Sequence, residues 1–171
     1  MNYPTSILEY GGRKYFLTWI RDDDLSKYKP VGQVYGIVFN EKEEILIARP
    51  GPEDPWAIPG GTPEKGETIE QALQREFLEE VDVKVKNILP LGTQKVEAED
   101  GSITHQLRCI ALLDHLLPQT IDPDPTKNTV WERKFVPAEN ATEYVKWGKI
   151  GEAMFRDAIQ LYKTLSGGGH S

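Results

Sequence analysis

The sequence has little cysteine, no excess of basic residues and no long apolar run, and each of these absences excludes a class of protein. The single cysteine, Cys109, cannot form an intramolecular disulfide, which excludes a fold held together by disulfide bonds. The formal net charge is −7, so no basic surface is available to grip a nucleic-acid backbone, and we expect no nucleic-acid polymer as a partner. No apolar run near the N-terminus is long enough for a signal peptide or a membrane span. We therefore expect a cytoplasmic protein without a membrane partner.

The length of 171 residues is sufficient for a substantial core and falls in the size range of one domain. We predict that this domain covers residues 1–166. Residues 167–171, Gly-Gly-Gly-His-Ser, are expected to be a flexible tail or an expression scar outside the fold.

The most informative stretch is residues 61–83, where a glycine-containing loop leads into a predicted helix. Thr68 and Gln71 have the spacing of a capping box, in which each side chain bonds to the backbone N–H of the other residue. Apolar residues then recur at three- and four-residue spacing, as on one face of a helix. They are Ile69, Ala72, Leu73, Phe77 and Val81. This stripe predicts a helix that packs against a core.

Three glutamates, Glu76, Glu79 and Glu80, fall in an arc of roughly 100° beside that stripe. Like charges at this spacing repel each other, and more strongly where water is excluded, so a cation is expected to neutralise them. Carboxylates without histidine or cysteine nearby suit Mg²⁺ or Mn²⁺, and Mg²⁺ usually binds substrate phosphates as well. The acids indicate phosphoryl or pyrophosphoryl chemistry. The alternative is an acidic, solvated helix behind a glycine turn.

The spacing of these residues resembles the signature box of the Nudix hydrolases. That box reads glycine, five residues, Glu, seven residues, Arg-Glu, an apolar residue, any residue, Glu-Glu, any residue, glycine and an aliphatic residue. In this chain the corresponding positions are Gly61, Glu67, Arg75, Glu76, Phe77, Glu79, Glu80, Asp82 and Val83. Every charged position of the box is present.

The resemblance implies an α/β (α+β) fold of the Nudix type, an α/β/α sandwich with a mixed central sheet flanked by helices. It also implies Mg²⁺- or Mn²⁺-dependent hydrolysis of a pyrophosphate bond in a small-molecule nucleoside diphosphate derivative. By the same resemblance, Glu76, Glu79, Glu80 and the backbone carbonyl of Gly60 are metal ligands. Arg75 is implied as a further residue of the catalytic site, and its ion pair with Glu67, together with Gly61, is implied to support the site.

Two positions of the box depart from the family pattern. Phe77 replaces an aliphatic residue, which changes core volume and not chemistry. Asp82 replaces the glycine that ends the helix in a left-handed conformation, which aspartate adopts at a cost of about 1 kcal/mol. We expect a slightly strained helix end and an intact site.

Strands are predicted on both sides of the box from β-branched and aromatic runs bounded by turn residues. They cover residues 13–20, 33–39, 45–49, 83–96, 103–113 and 130–136. Residues 150–165 carry apolar residues at helical spacing, which predicts a terminal helix packed on the sheet. Residues 117–129 are proline-rich and polar and must form a loop.

Three residues outside the box are candidates for the site. Arg49 is predicted to bind a substrate phosphate and Trp56 to stack on a base, although each also suits a structural role at the end of a strand or in a loop. Many Nudix hydrolases use an acid outside the box as general base or extra ligand. Glu132 in the last predicted strand fits best, and Glu97 and Glu99 in the preceding hairpin are its rivals.

Other residues with reactive side chains have plainer interpretations. Asp122 and Asp124 lie in the long loop, and loops of this length often contact substrate, so both are weaker site candidates. His105 is expected to be a satisfied strand residue, and Cys109 a small core residue.

Two alternatives to hydrolysis stay open at this stage. One is a Nudix-like domain that binds a nucleotide or a partner without cleaving it, against which the retained, mutually repelling acids argue. The other is the reaction of the isopentenyl diphosphate isomerases, which resemble this family and depend on further cysteine and glutamate positions outside the box. Against it stands that Cys109 is the single cysteine and lies in a predicted core strand. Dinucleoside polyphosphates, nucleotide sugars, ADP-ribose and nucleoside triphosphates are all candidate substrates, and the N-terminal strand is a candidate element for a homodimer.

Overall fold

The computed structural model of the protein describes residues 2–126 and 128–167. Within these residues the chain builds a mixed sheet from eight strands. They are β1 (Thr5–Tyr10), β2 (Arg13–Arg21), β3 (Val31–Phe39), β4 (Glu44–Arg49), β5 (Gly60–Gly61), β6 (Val83–Ala98), β7 (Ile103–Leu116) and β8 (Glu132–Pro137).

The strands lie in the order β1-β2-β6-β7-β3-β4-β8, and the short β5 pairs with β3. β3 and β7 run parallel, whereas the other pairs are antiparallel. The predicted strands over residues 13–20, 33–39, 45–49, 83–96 and 103–113 are confirmed, and each extends by one to three residues at one end. The last strand begins two residues later than predicted, at Glu132.

Helices cover both faces of the sheet. On one face, α1 (Ile69–Val81) packs its buried residues against β3, β4 and β7. On the other face, a 3-10 turn (Ala138–Asn140), α2 (Ala141–Tyr144) and α3 (Gly148–Gly167) enclose a second apolar cluster. The predicted fold, a mixed central sheet between layers of helix, is therefore confirmed. Gly167 ends α3, whereas residues 168–171 of the predicted tail lie outside the described residues.

Helix α1 begins as its sequence predicts. The backbone N–H of Gln71 donates to Thr68 Oγ1 at 3.1 Å, and the backbone N–H of Thr68 donates to Gln71 Oε1 at 3.0 Å. Both bonds satisfy N–H groups that the first helical turn would leave without acceptors. The capping box thus fixes the point at which the glycine loop becomes a helix.

The aromatic side chain of Phe77 packs against a glycine of the neighbouring strand. A Cβ atom added at Gly36 of β3 would lie 2.3 Å from the tip of the Phe77 ring. Phe77 is fully buried, so the larger side chain fits in this core because position 36 has no side chain.

The end of α1 at Asp82 has the left-handed conformation that the family pattern implies, with φ 53° and ψ 49°. The Asp82 carboxylate also accepts two bonds from Thr120, one from the backbone N–H at 2.8 Å and one from the hydroxyl at 2.6 Å. These bonds attach the loop that follows β7 to the end of the helix. A glycine at position 82 would adopt the same backbone conformation and lack both bonds.

The sequence did not predict β1, which forms a hairpin with β2. The turn consists of Gly11 and Gly12, whose φ angles of 59° and 75° suit a two-residue hairpin. All but one of the side chains of β1 are exposed. The strand therefore lacks the alternation of buried apolar and exposed polar residues by which a strand is recognised in a sequence. The hairpin is tied to the body of the protein by Trp19 of β2, which is buried and donates to Asp157 of α3 at 2.8 Å.

His105 and Cys109 of β7 are both buried. Burial raises the pKa of the Cys109 thiol to about 12, so this thiol stays protonated at neutral pH and is a poor nucleophile. His105 Nδ1 lies 3.2 Å from the carbonyl oxygen of Pro30, and the imidazole ring packs on Tyr28. Among the described residues, no helix has both the length and the apolar character needed to span a membrane.

Candidate active site

A cleft of about 840 Å³ opens where the loop before α1 meets the helix. One wall is formed by β5 and the acidic edge of α1, and the loops that precede β5 and β8 also line the cleft. Among the residues that line it are Gly60 and the box residues Gly61, Arg75, Glu76, Glu79 and Glu80. The structure thus brings the predicted metal ligands together on one wall.

Arg75 is the centre of the hydrogen-bond network on this wall. Its Nε and Nη2 atoms donate to the two carboxylate oxygens of Glu67, at 2.8 and 3.0 Å. Its Nη1 atom donates to Glu76 at 3.0 Å and to Glu79 at 3.2 Å, and Nη2 also reaches the Thr62 carbonyl oxygen at 3.2 Å. The side chain therefore links the glycine loop to the helix.

The Arg75–Glu67 ion pair alters the proton affinity of both groups. Hydrogen bonding from Arg75 lowers the pKa of the Glu67 carboxyl, and the same interaction raises the pKa of Arg75 above its ordinary value. Glu67 also accepts a bond from the backbone N–H of Glu64 at 2.6 Å. Both side chains are ionised at neutral pH, so the contact that closes the loop onto the helix persists there.

Glu80 and Glu76 contact the two glycines of β5. The Glu80 side chain, which is buried, accepts a bond from the backbone N–H of Gly60 at 3.0 Å. A Cβ atom at Gly61 would lie 2.5 Å from the Glu76 carboxylate, so the carboxylate occupies the space that any other residue would fill. The glycines are needed here because the acids lie against the backbone of the loop.

Within the described part of the chain, no three acidic, histidine or cysteine side chains converge closely enough to hold a metal ion. In this arrangement Glu76 and Glu79 both accept bonds from Arg75 Nη1. The donors on this wall are nevertheless carboxylate oxygens on one helix edge, which is the donor chemistry of a Mg²⁺ or Mn²⁺ site.

The three predicted residues outside the box form a separate cluster. Glu132 makes an ion pair with Arg49 across β4 and β8, and the Arg49 guanidinium lies 4.2 Å from the centre of the Trp56 ring. Arg49, Trp56 and Glu132 are not among the described residues that line the cleft. Arg49 and Trp56 line a smaller adjacent groove of about 350 Å³, which shares Asp54 with the cleft.

Of the candidate acids predicted outside the box, those in the loop over residues 117–129 reach the cleft. Asp122 and Asp124 both line it, together with Trp131. The buried Asp122 accepts a bond from Trp131 Nε1 at 2.8 Å, and Asp124 accepts from the backbone N–H and the hydroxyl of Thr126. The rival acid Glu97 instead pairs in the sheet between β2 and β7.

Sequence reasoning missed further residues of the cleft, among them Gln33 and Tyr35 of β3. The Tyr35 hydroxyl donates to Gln33 Oε1 at 2.8 Å. What marks these two residues is their position beside β5, and this position depends on the fold and not on the local sequence. Tyr35 pairs with Gly60 between β3 and β5.

Comparison with known proteins identifies the family to which this arrangement belongs. The family model described as NUDIX domain matches residues 29–157, which is more than half of the chain. The chain therefore belongs to the Nudix family.

Three curated relatives illustrate what the chain is similar to. An ADP-ribose pyrophosphatase of Methanocaldococcus jannaschii is 37% identical over 111 residues, which are 60% of this chain and 64% of that protein. An RNA pyrophosphohydrolase of Actinobacillus succinogenes is 34% identical over 43% of this chain and 36% of its own length, and that of Psychromonas ingrahamii is 35% identical over 42% and 39%. The chain thus covers less than two thirds of the length of these curated relatives.

Solved structures share the fold at lower sequence identity. The Bacillus subtilis pyrophosphohydrolase BsRppH has a TM-score of 0.67 and 16% identity, covering 91% of this chain and 96% of that one. The MutT protein of Bacillus halodurans has a TM-score of 0.55 and 20% identity, covering 75% and 81%. These similarities support the Nudix fold.

Proposed function

We propose that this protein hydrolyses a pyrophosphate bond in a nucleoside diphosphate linked to another group, with Mg²⁺ or Mn²⁺ as cofactor. The observation that carries the proposal is the position of Glu76, Glu79 and Glu80, which line one wall of a large cleft beside a glycine loop. Membership of the Nudix family and relatives named as pyrophosphatases agree with it.

The donor set fits the proposed metal. Glu76, Glu79, Glu80 and the backbone carbonyl of Gly60 would hold the ion, since these are oxygen donors in or beside a wall without histidine or cysteine. When bound, such an ion lowers the pKa of a coordinated water and neutralises charge on the pyrophosphate.

We propose that Arg75 holds the glycine loop against the helix while Glu76 and Glu79 reorient toward the metal ion. Nη1 alone contacts Glu76 and Glu79, whereas Nε and Nη2 bond to Glu67 and Thr62. The two acids can therefore turn toward a cation while Glu67 and Arg75 still hold the loop against the helix.

Two candidates compete for the acid that takes a proton from the attacking water. Glu132 is the residue predicted from the family pattern, but its carboxylate is paired with Arg49 outside the cleft. Asp124 lines the cleft together with the box acids. We propose Asp124 for this role, because a general base must lie within reach of the water that it deprotonates.

The relatives suggest which substrates to test first. Since one relative is named as an ADP-ribose pyrophosphatase and others as RNA pyrophosphohydrolases, we propose ADP-ribose as the first candidate and a 5′-triphosphate RNA as the second. The negative net charge argues against long RNA, whose phosphates the protein could not grip.

The test is a panel assay with products identified by mass. The purified protein is incubated with ADP-ribose, a nucleotide sugar, a dinucleoside polyphosphate, a nucleoside triphosphate and a 5′-triphosphate RNA, with Mg²⁺ or with EDTA. We expect Mg²⁺-dependent cleavage at the pyrophosphate of at least one substrate. Saturable binding without any product would contradict hydrolysis and favour a nucleotide-binding role.

A further inference from the structure

A second cavity, of about 400 Å³, lies next to the cleft and shares Tyr35 with it. Its walls come from the N-terminal hairpin, from β6 and β7, and from the segment between α2 and α3. The box residues take no part in it. A substrate held by its diphosphate in the cleft could therefore extend past Tyr35 into this space.

Arg108 of β7 lines the cavity and is an unusual residue to find there. It is only 2% exposed, and its Nη2 atom donates to Gln106 Oε1 at 3.1 Å. Its Nε and Nη1 atoms, which are enclosed, have no hydrogen-bond acceptor within the described part of the chain. Burying donors of a charged group without acceptors is costly, so such a group calls for an explanation.

The neighbouring polar groups do not neutralise this arginine. Gln106 Oε1 accepts from Arg108 and also from Gln94 Nε2 at 3.0 Å, so one amide oxygen serves two donors. Among the described residues that line the cavity, none is acidic, and Lys146 adds a second positive charge. A positive, donor-rich cavity in a protein of net charge −7 favours a ligand with acceptor atoms.

Two aromatic rings hold the guanidinium in place. Its central carbon lies 4.5 Å from the centre of the Tyr35 ring and 5.6 Å from that of Trp147. Cation–π contacts of this kind stabilise the charge, yet they leave the N–H donors unsatisfied. An apolar side chain of similar size would pack between the same rings without that cost, which weakens a purely structural explanation.

We propose that Arg108 is a substrate-binding residue, whose guanidinium turns into the cavity and donates to an acceptor-rich group of the nucleotide. This inference builds on the proposed function, for which it defines part of the substrate. Two groups have the required chemistry: the 6-oxo edge of a purine base, with its adjacent O6 and N7 acceptors, and a phosphate. Adenine fits less well, because its 6-amino group is a donor and would face the donors of Arg108. If the bound group is the base, the substrate is therefore a 6-oxopurine nucleotide in place of ADP-ribose, the first candidate named above.

The test measures binding in EDTA, without turnover. Binding of GMP, AMP and inorganic phosphate is followed by calorimetry for the wild type, Arg108→Met, Arg108→Lys and Arg156→Met. Arg108→Met retains a long apolar side chain and removes the donors, whereas Arg156 is an exposed arginine of α3 and serves as the matched control. Thermal unfolding of each variant is measured alongside.

For a 6-oxopurine, we expect Arg108→Met to weaken GMP binding by roughly tenfold to a hundredfold while AMP binding changes little, since hydrogen bonds to a charged group are lost. Equal losses for GMP, AMP and inorganic phosphate would assign the site to a phosphate. In both cases Arg108→Lys recovers only part of the affinity, Arg156→Met matches the wild type, and the melting temperature of Arg108→Met does not fall.

Two results would overturn the inference. One is unchanged binding by Arg108→Met together with a lower melting temperature, which would show that the arginine only supports the fold. The other is a wild type that binds none of the three probes. Because binding is measured without metal, a protein that binds GMP through Arg108 and hydrolyses nothing would refute the proposed hydrolysis and leave this inference standing.

Discussion

Gly60 and Gly61 are adjacent in sequence, but their missing side chains leave room for different neighbours. A Cβ atom at Gly60 would lie 2.2 Å from the backbone carbonyl oxygen of Val34, which cannot move without disturbing the sheet. At Gly61 the obstacle is the Glu76 carboxylate, which is the end of a flexible side chain. One glycine is therefore needed mainly for the fold and the other mainly for the site.

This difference predicts opposite outcomes for two alanine variants. Gly61→Ala should leave the free energy of unfolding nearly unchanged and lower kcat by about a hundredfold, because Glu76 is displaced by about an ångström or more. Gly60→Ala should lower the free energy of unfolding by about 1–3 kcal/mol, because the clash is with backbone. Urea unfolding and steady-state kinetics on the same preparations distinguish them. Equal loss of stability in both variants would contradict this assignment.

The acids of the box give a second prediction at this scale. Glu79→Gln and Glu80→Gln should each lower Mg²⁺-dependent turnover by at least about a hundredfold, because an amide is a weaker metal ligand than a carboxylate. In Glu80→Gln the new amide oxygen can still accept the bond from the backbone N–H of Gly60, so this variant should keep the fold, as circular dichroism would show. Wild-type rates in either variant would remove the proposed metal site.

A third prediction separates the two candidates for the additional acid. Asp124→Asn should lower kcat and remove the acidic limb of its pH profile, because a general base is lost. Glu132→Gln should have a smaller effect on kcat, since Glu132 pairs with Arg49 outside the cleft. If Glu132→Gln proves the more damaging of the two, the base is Glu132, as the sequence first predicted.

At the scale of elements, α1 was the most predictable part of the molecule. Its start follows from a local capping box and its buried face from a periodic stripe, and both depend on residues close in sequence. The attachment of the loop after β7 to the helix end could not be predicted, since Asp82 and Thr120 are 38 residues apart. The ion pair of Glu132 with Arg49 could not be predicted either, because it depends on the register between β4 and β8.

The helix end yields a prediction that opposes the family pattern. Asp82→Gly restores the usual glycine and relieves about 1 kcal/mol of left-handed strain, but it removes both bonds from Thr120. We expect the bonds to outweigh the strain, so the free energy of unfolding falls by about 2 kcal/mol. Faster amide exchange at Thr120 would identify the loop as the affected part. A more stable Asp82→Gly variant would show that strain dominates.

At the scale of the whole molecule, the order of strands places β3 beside both β5 and β7, so Tyr35 borders the cleft and the second cavity at once. A mixed sheet was predictable from the family resemblance. The parallel register that sets Tyr35 opposite Arg108 was not, because it joins strands far apart in sequence. That residues 1–166 form one domain stays a prediction, although Trp19 already ties the N-terminal hairpin to α3.

The acid stability of the whole molecule follows from its depressed carboxyl groups. Hydrogen bonds from Lys27 lower the pKa of Asp22, and bonds from Arg75 lower the pKa of Glu67. Folded pKa values below the unfolded values of 3.8 and 4.5 mean that these groups stabilise the fold at higher pH and cease to do so on acidification. We expect the melting temperature to fall as the pH drops below about 4.5.

Glu67→Gln provides the control for that experiment. The variant lacks one carboxyl with a depressed pKa, so its melting temperature should be lower than that of the wild type at about pH 7 and should decline less steeply on acidification. Scanning calorimetry from neutral pH to about pH 3 measures both slopes. Parallel curves for the two proteins would show that the Arg75–Glu67 pair adds nothing to acid sensitivity.

The packing of Phe77 on Gly36 has an evolutionary consequence. A bulky residue on the helix and an empty position on the strand together fill one volume, so neither can change freely without the other. We expect homologues with leucine or isoleucine at the helical position to have room for alanine at the strand position, and those with phenylalanine to keep glycine there. The two positions should therefore covary across the family. Replacing Phe77 by leucine and Gly36 by alanine together should be tolerated, whereas Gly36→Ala by itself should not.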